Sequence, residues 1–149
     1  MTDPYRLRLR RATQLRSPVL TAVAAFSVAA ALCGCGAPAP RLEGARQAGR
    51  AFEQALAGAD YVRACALLAP QTRQQLEEDR HKPCAPALQG QELPQAGQVR
   101  GTEVYGRQAL LRLLNDTLFL SQFTGGWKVV AAGCTPQGDQ PYRCSLKGG

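Results

Sequence analysis

Six cysteines stand out among the side chains of this 149-residue chain that could do chemistry: Cys33, Cys35, Cys65, Cys84, Cys134 and Cys144. A thiolate can bind zinc, exchange disulfides or carry an acyl chain, and spacing separates these roles. Structural zinc sites usually show cysteines paired at two- to four-residue gaps. The last four cysteines are 19, 50 and 10 positions apart, so no metal site is expected. None of them forms the Cys-x-x-Cys of a redox pair. Other reactive candidates are few. His81 is the single histidine and lies between Arg80 and Lys82, which reads as a solvated loop residue rather than a base. After residue 34 the only serines are Ser121 and Ser145, and neither sits in Gly-x-Ser-x-Gly. Glu103, Asp116 and Asp139 fall on strands or turns with no evident partner carboxylate, and Asp116 reads as a turn residue. No glycine-rich phosphate loop is present. The expectation is no catalytic residue and no cofactor.

The first two cysteines belong to a different pattern. Residues 1–16 carry five arginines against one acid, Asp3. Val19 to Leu32 is then apolar apart from Thr21 and Ser27. A basic start, a short apolar stretch and small residues at its exit make a secretory signal. The stretch is about 14 residues, short of the roughly 20 a spanning helix needs. The exit, Leu32-Cys33-Gly34-Cys35, resembles the bacterial lipobox. That resemblance implies cleavage after Gly34 and a diacylglyceryl thioether on Cys35, which becomes the mature N-terminus. Cys33 departs from the usual Ala, Ser or Thr at its position. Two acyl chains give stable anchoring where one is marginal. The expected partner is therefore the cell membrane, through the lipid, with the domain on its extracytoplasmic face.

Removal of residues 1–34 changes the charge argument. The whole chain is +7, from 18 basic and 11 acidic residues, and the mature chain is only +3. The basic balance is mostly a targeting signal, so no nucleic-acid partner is expected. The 115 mature residues suit one domain with a modest core. An even count of cysteines in an exported domain reads as disulfides. Three connectivities exist for four cysteines. Cys65–Cys84 and Cys134–Cys144 are favoured, because each joins segments that local structure brings together. Loops of these lengths would contribute about 3 kcal/mol each in the chain-entropy account.

The elements that must position these residues follow from periodicity. Residues 35–43 hold the lipidated cysteine and a Pro- and Gly-containing linker. Residues 44–90 read as helical. Ala45, Ala48, Phe52, Ala55 and Leu56 recur at helical steps, and Gly58 ends that helix. Asp60 can cap a second helix, with Tyr61, Cys65 and Leu68 facing inward. Pro70 can open a third, reaching Asp79 with Leu76 buried. The charged run from Glu77 to Lys82 reads as a solvated helix end and loop. Pro83 and Pro86 bracket Cys84 in a loop that the Cys65 bridge would pin back.

Residues 97–148 read as a meander of strands: Val99 to Tyr105, Gln108 to Leu114, Thr117 to Phe123, Trp127 to Cys134 and Tyr142 to Leu146. A two-residue Asn115-Asp116 loop sets Leu113 opposite Leu118 and Leu111 opposite Leu120. A Gly125-Gly126 loop sets Leu120 opposite Ala131 and adds Trp127, Val129 and Ala131 to the same face. Residues 135–141 are expected as a loop.

The segments Ala51-Phe52-Glu53-Gln54-Ala55-Leu56, Asp60 to Pro70 and Gly126-Trp127-Lys128-Val129 to Cys134 resemble the nuclear transport factor 2-like superfamily, as found in small actinobacterial lipoproteins of unknown function. A ratio of 15 arginines to 3 lysines is consistent with a GC-rich coding sequence. The resemblance spans roughly residues 44–147. It implies an α+β domain of N-terminal helices packed on a curved antiparallel sheet, a cystatin-like cone. Enzymes of that superfamily use pocket Asp, His or Tyr residues, and no matching motif is present here.

Two roles fit. One is a non-catalytic envelope interaction or accessory module, docking an envelope protein through an outer sheet face with Phe119, Phe123, Arg112 and Lys128. The other is a small-molecule or lipid-binding domain with an apolar pocket lined by Phe52, Tyr61, Leu111, Leu120 and Trp127. The first ranks slightly higher, because no polar group is seen converging on a pocket.

Overall fold

A helix whose buried stripe contains glycine can lie closer to a sheet than one lined with larger side chains. In the computed structural model, which describes residues 37–148, helix α1 (Ala39–Ala57) buries Ala45, Gly49, Phe52 and Ala55. A Cβ on Gly49 would stand 2.3 Å from Cδ2 of Leu111, and one on Gly44 would stand 3.1 Å from the Trp127 ring. The expected signal segment, Cys33 and the expected lipidation residue Cys35 lie outside the described residues. Helix α1 starts earlier than the expected residue 44, because Pro40 is tolerated in a first helical turn whose N–H groups have no intrahelical partner. The linker reading of residues 36–43 is corrected accordingly, since only Ala37 and Pro38 precede the helix among the described residues.

Three short helices follow: α2 (Tyr61–Leu67), α3 (Pro70–Arg80) and α4 (Cys84–Gln89). Asp60 caps α2 as expected, its Oδ1 accepting from the Arg63 amide at 3.1 Å. The loop expected around Cys84 is instead α4. The Glu77 carboxylate, expected in solvent, accepts the Cys84 amide at 3.1 Å and so serves the start of that helix. Cys65 is bonded to Cys84, and Cys134 to Cys144, with Cα separations of 6.1 and 4.0 Å. The first pair ties α2 to α4. The second joins directly opposed residues of neighbouring strands.

The strands β1 (Val99–Tyr105), β2 (Gln108–Leu113), β3 (Thr117–Phe123), β4 (Gly126–Gln137) and β5 (Gln140–Lys147) form one antiparallel sheet in the order β1-β2-β3-β4-β5. The helices precede the sheet, so the α+β class is as expected, and the sheet is open, with β1 and β5 at its edges. Residues 135–141, expected as a loop, mostly extend the β4–β5 hairpin, where Gln137 opposes Gln140.

Both hairpin registers differ from the expected ones by two residues. Leu111 opposes Leu118, and Arg112 opposes Thr117, so the β2–β3 connection is Leu113–Asp116. Leu120 opposes Val129, and Phe123 opposes Gly126, leaving Thr124-Gly125 as the turn. A two-residue slip keeps every side chain on its face, which is why Leu111, Leu113, Leu118 and Leu120 are all buried as expected. An irregularity between Phe119 and Leu120 then shifts the facing of β4. Ala131 opposes Phe119 and joins the outer face, while Ala132 and Cys134 follow Trp127 and Val129 inward.

At the bulged stretch the helices complete the sheet. The Ala69 amide donates to the Val129 carbonyl at 2.8 Å, and the Thr72 hydroxyl to the Val130 carbonyl at 3.0 Å. No helix among the described residues is long and apolar enough to cross a membrane.

Substituting Gly49→Ala should lower stability by about 1–3 kcal/mol, because Leu111 is fully buried and has no room to yield. Equilibrium denaturation would measure this. An unchanged midpoint, as helix propensity alone would favour, would show that α1 is not held against Leu111.

Candidate functional site

Glu53 sits at the border of the α1 stripe, one turn after Gly49 and next to Phe52. Helical geometry places residues four apart on the same side, so Glu53 follows Gly49 toward the interior. Opposite it lies the connection between β2 and β3. That connection is held by the chain before β1: the Leu114 amide donates to the Gln98 carbonyl at 2.9 Å and the Asn115 amide to the Ala96 carbonyl at 3.0 Å. The Asn115 side chain adds a bond to the Gln95 carbonyl at 3.1 Å. Gly97, at φ +75°, lets the chain pass so close that a Cβ there would meet the Leu114 Cβ at 3.0 Å.

Asp116 lies within this connection and is buried rather than a solvated turn residue. Its carboxylate accepts from three backbone amides: Thr117 at 2.6 Å, Cys134 at 2.9 Å and Gly133 at 3.1 Å. Gly133 adopts φ +64°, a left-handed conformation that glycine takes readily. The expectation that Asp116 has no partner carboxylate is also corrected. Burial first, and then the charge of Asp116, push the Glu53 carboxyl up to about 8. Burial raises the Asp116 carboxyl too, but its three amide bonds oppose the rise. The surroundings therefore act differently on the two groups: three amide donors favour the charged form of Asp116, whereas Glu53 favours its proton.

Glu53 Oε1 is buried and has no hydrogen-bond partner among the described residues, which is costly unless something supplies one. Glu53 also lines two open clefts that share Gly97. One, of about 520 Å³, is walled by Gln54, Leu56, Tyr61, Gln91, Leu93 and Pro94 among others. The other, of about 420 Å³, includes Arg46, Arg50, Gln98 and Leu113. A protonated carboxyl offers one donor and one acceptor, and Gln54 and Gln91 also line the larger cleft.

The five expected pocket residues are not brought together around a ligand space. Phe52, Leu111 and Leu120 are completely buried, and Trp127, at 8% exposure, packs beside Gly44. None of these four lines either cleft, whereas Tyr61 lines the larger one. The space under the sheet is filled because α1 approaches so closely. The outer face also differs from expectation. Arg112 is paired with Glu103, and Phe119 stacks edge-on against Tyr142 with centroids 5.1 Å apart. Lys128 donates to the Ala66 carbonyl at 2.7 Å rather than standing free beside the phenylalanines. Among the described residues, no group of three or more His, Cys, Asp or Glu side chains could hold a metal ion. Glu53 was missed because a lone acid beside an apolar stripe resembles any solvated helical residue. Its spacing from Gly49 was the available signal.

Comparison with family models, curated proteins and solved structures finds no match to this chain.

The Glu53 carboxyl is raised on folding, so its contribution to stability is full below about pH 4.5 and is lost as pH rises towards about 8. The loss should be on the order of 3 kcal/mol after allowance for partial exposure. Glu53→Gln, which keeps shape without a charge, should flatten the dependence in chemical denaturation at pH 5, 7 and 9. Parallel curves for the two proteins would refute the assignment. Asp116→Ala should cost about 2–4 kcal/mol, since it strips partners from buried amides. A loss under 1 kcal/mol would show that water replaces the carboxylate.

Proposed function

We propose that this chain is a lipid-anchored bacterial lipoprotein whose extracytoplasmic domain, of the nuclear transport factor 2-like kind, binds a small molecule without catalysis. The signal pattern and the Leu32-Cys33-Gly34-Cys35 exit support the anchor. Two bonded cysteine pairs support life in an oxidising compartment.

The observation that carries the binding reading is the buried Oε1 of Glu53, without a partner among the described residues, beside a cleft of about 520 Å³. That volume is within the range of small-molecule sites. The lining combines apolar side chains such as Leu56, Leu93 and Pro94 with the amides of Gln54 and Gln91, so the fitting ligand has an apolar body and a neutral donor–acceptor end, such as an amide. Docking of an envelope protein on the outer face has less support, because Arg112, Phe119 and Lys128 are engaged within the domain.

Cys35→Ala should leave the protein unprocessed or release it from the membrane fraction, and a correctly trimmed chain that stays attached would remove the anchor reading. For the cleft, octanamide is a suitable probe. It should raise the melting temperature saturably, by the equivalent of ~2.7 kcal/mol at a hundred times its dissociation constant. Leu93→Arg, in the cleft wall, should abolish the shift without unfolding the domain. Absence of a saturable shift, or one that survives Leu93→Arg, would count against this binding reading.

A further inference from the structure

The anchor and the fold together orient the domain. Only three residues separate Cys35 from the start of α1 at Ala39, so the four steps between them reach at most about 14 Å. The start of α1 is in turn fixed to one end of the sheet. Arg41, in its first turn, donates to the Gly106 carbonyl and to Gln122 Oε1, the latter at 3.1 Å. Gly106 lies in the β1–β2 turn, and Gln122 stands just before the β3–β4 turn. Arg107 closes the same end, its Nε donating to the Gln122 carbonyl at 3.0 Å.

The charge left without an ion pair at this end is positive among the described residues. Arg41 and Arg107 are held by neutral oxygens, and neither takes part in an ion pair among the described residues. The nearest acids are matched, Glu43 by Arg46 and Glu103 by Arg112. Tyr105 is 67% exposed, its hydroxyl donating to Glu103 Oε2 at 2.8 Å, and an amphipathic ring suits a headgroup interface. Towards the opposite end of the sheet lie Asp139 in the β4–β5 turn, the buried Asp116, Arg100 and Arg143.

Resting on acylation at Cys35, we infer that the end of the domain bearing Arg41, Tyr105 and Arg107 lies on the anionic surface of the bilayer. The partner is the lipid headgroup layer itself. The domain is thereby held with the Glu53 clefts, which open near the other end of α1, directed away from the membrane.

The test uses the acylated chain in phosphatidylcholine vesicles with and without phosphatidylglycerol, and a headgroup-attached quencher. A tryptophan reporter is placed by Tyr105→Trp, and a control by Leu114→Trp at the opposite end, where the side chain is 51% exposed. Reporter emission at position 105 should be quenched in the anionic vesicles and not at position 114. Quenching should disappear at ~1 M salt, where the Debye length is about 3 Å. Arg107→Gln should weaken the surface-bound population about fivefold, and the salt response of the unsubstituted arginine protein decides the matter if that variant misfolds. Equal quenching at 105 and 114, or quenching indifferent to lipid charge and salt, overturns the orientation. Failure of the chain to float with vesicles overturns the anchor as well, so the two failures are distinct.

Discussion

Everything in this domain depends on how closely α1 lies against the sheet. The absence of a side chain at Gly49 is what permits it, since the Leu111 side chain fills the space a Cβ would need. That approach lets Phe52, Leu111, Leu118 and Leu120 bury completely in a small protein. It also removes the hollow that a cone-shaped sheet could otherwise enclose. Space for a ligand is displaced to the margin, between the far half of α1 and the chain that leads into β1.

The same approach brings an acid inward. Glu53 follows Gly49 by one turn, so bringing the glycine against the sheet also draws the glutamate out of water. Asp116 is already there, fixed by three backbone amides that no neutral side chain would satisfy as fully. Two carboxyls in such surroundings do not both ionise at low cost. The amide partners of Asp116 favour its charged form, whereas Glu53 favours its proton. The result is a neutral acid with an unused oxygen at the wall of two clefts, an arrangement suited to recognition rather than to charge storage.

The two ends of the sheet differ. One gathers Arg41 and Arg107 around two tight turns, and the other carries the loop that holds Asp116. If Cys35, four positions before α1, carries the proposed lipid, the end with Arg41 and Arg107 would face the bilayer and the clefts would face outward. The proposed binding module would then be presented in one direction by its short tether.

The sequence by itself determined what periodicity and local chemistry control. The Asp60 cap, the opening of α3 at Pro70, the bounds of β1 and β3, and the inward set Leu111, Leu113, Leu118 and Leu120 all rest on interactions within a few residues or on alternation along a strand. The pairing of Cys65 with Cys84 and of Cys134 with Cys144 followed from the same local reasoning. Pairing register was not legible, because a slip of two residues preserves the hydrophobic face and so leaves no trace in the pattern. Nor was the site: Glu53 and Asp116 are 63 positions apart, and each looks ordinary alone. Only the tertiary structure decided that they meet, because their altered acidity arises from shared burial, a property that no single segment of chain possesses.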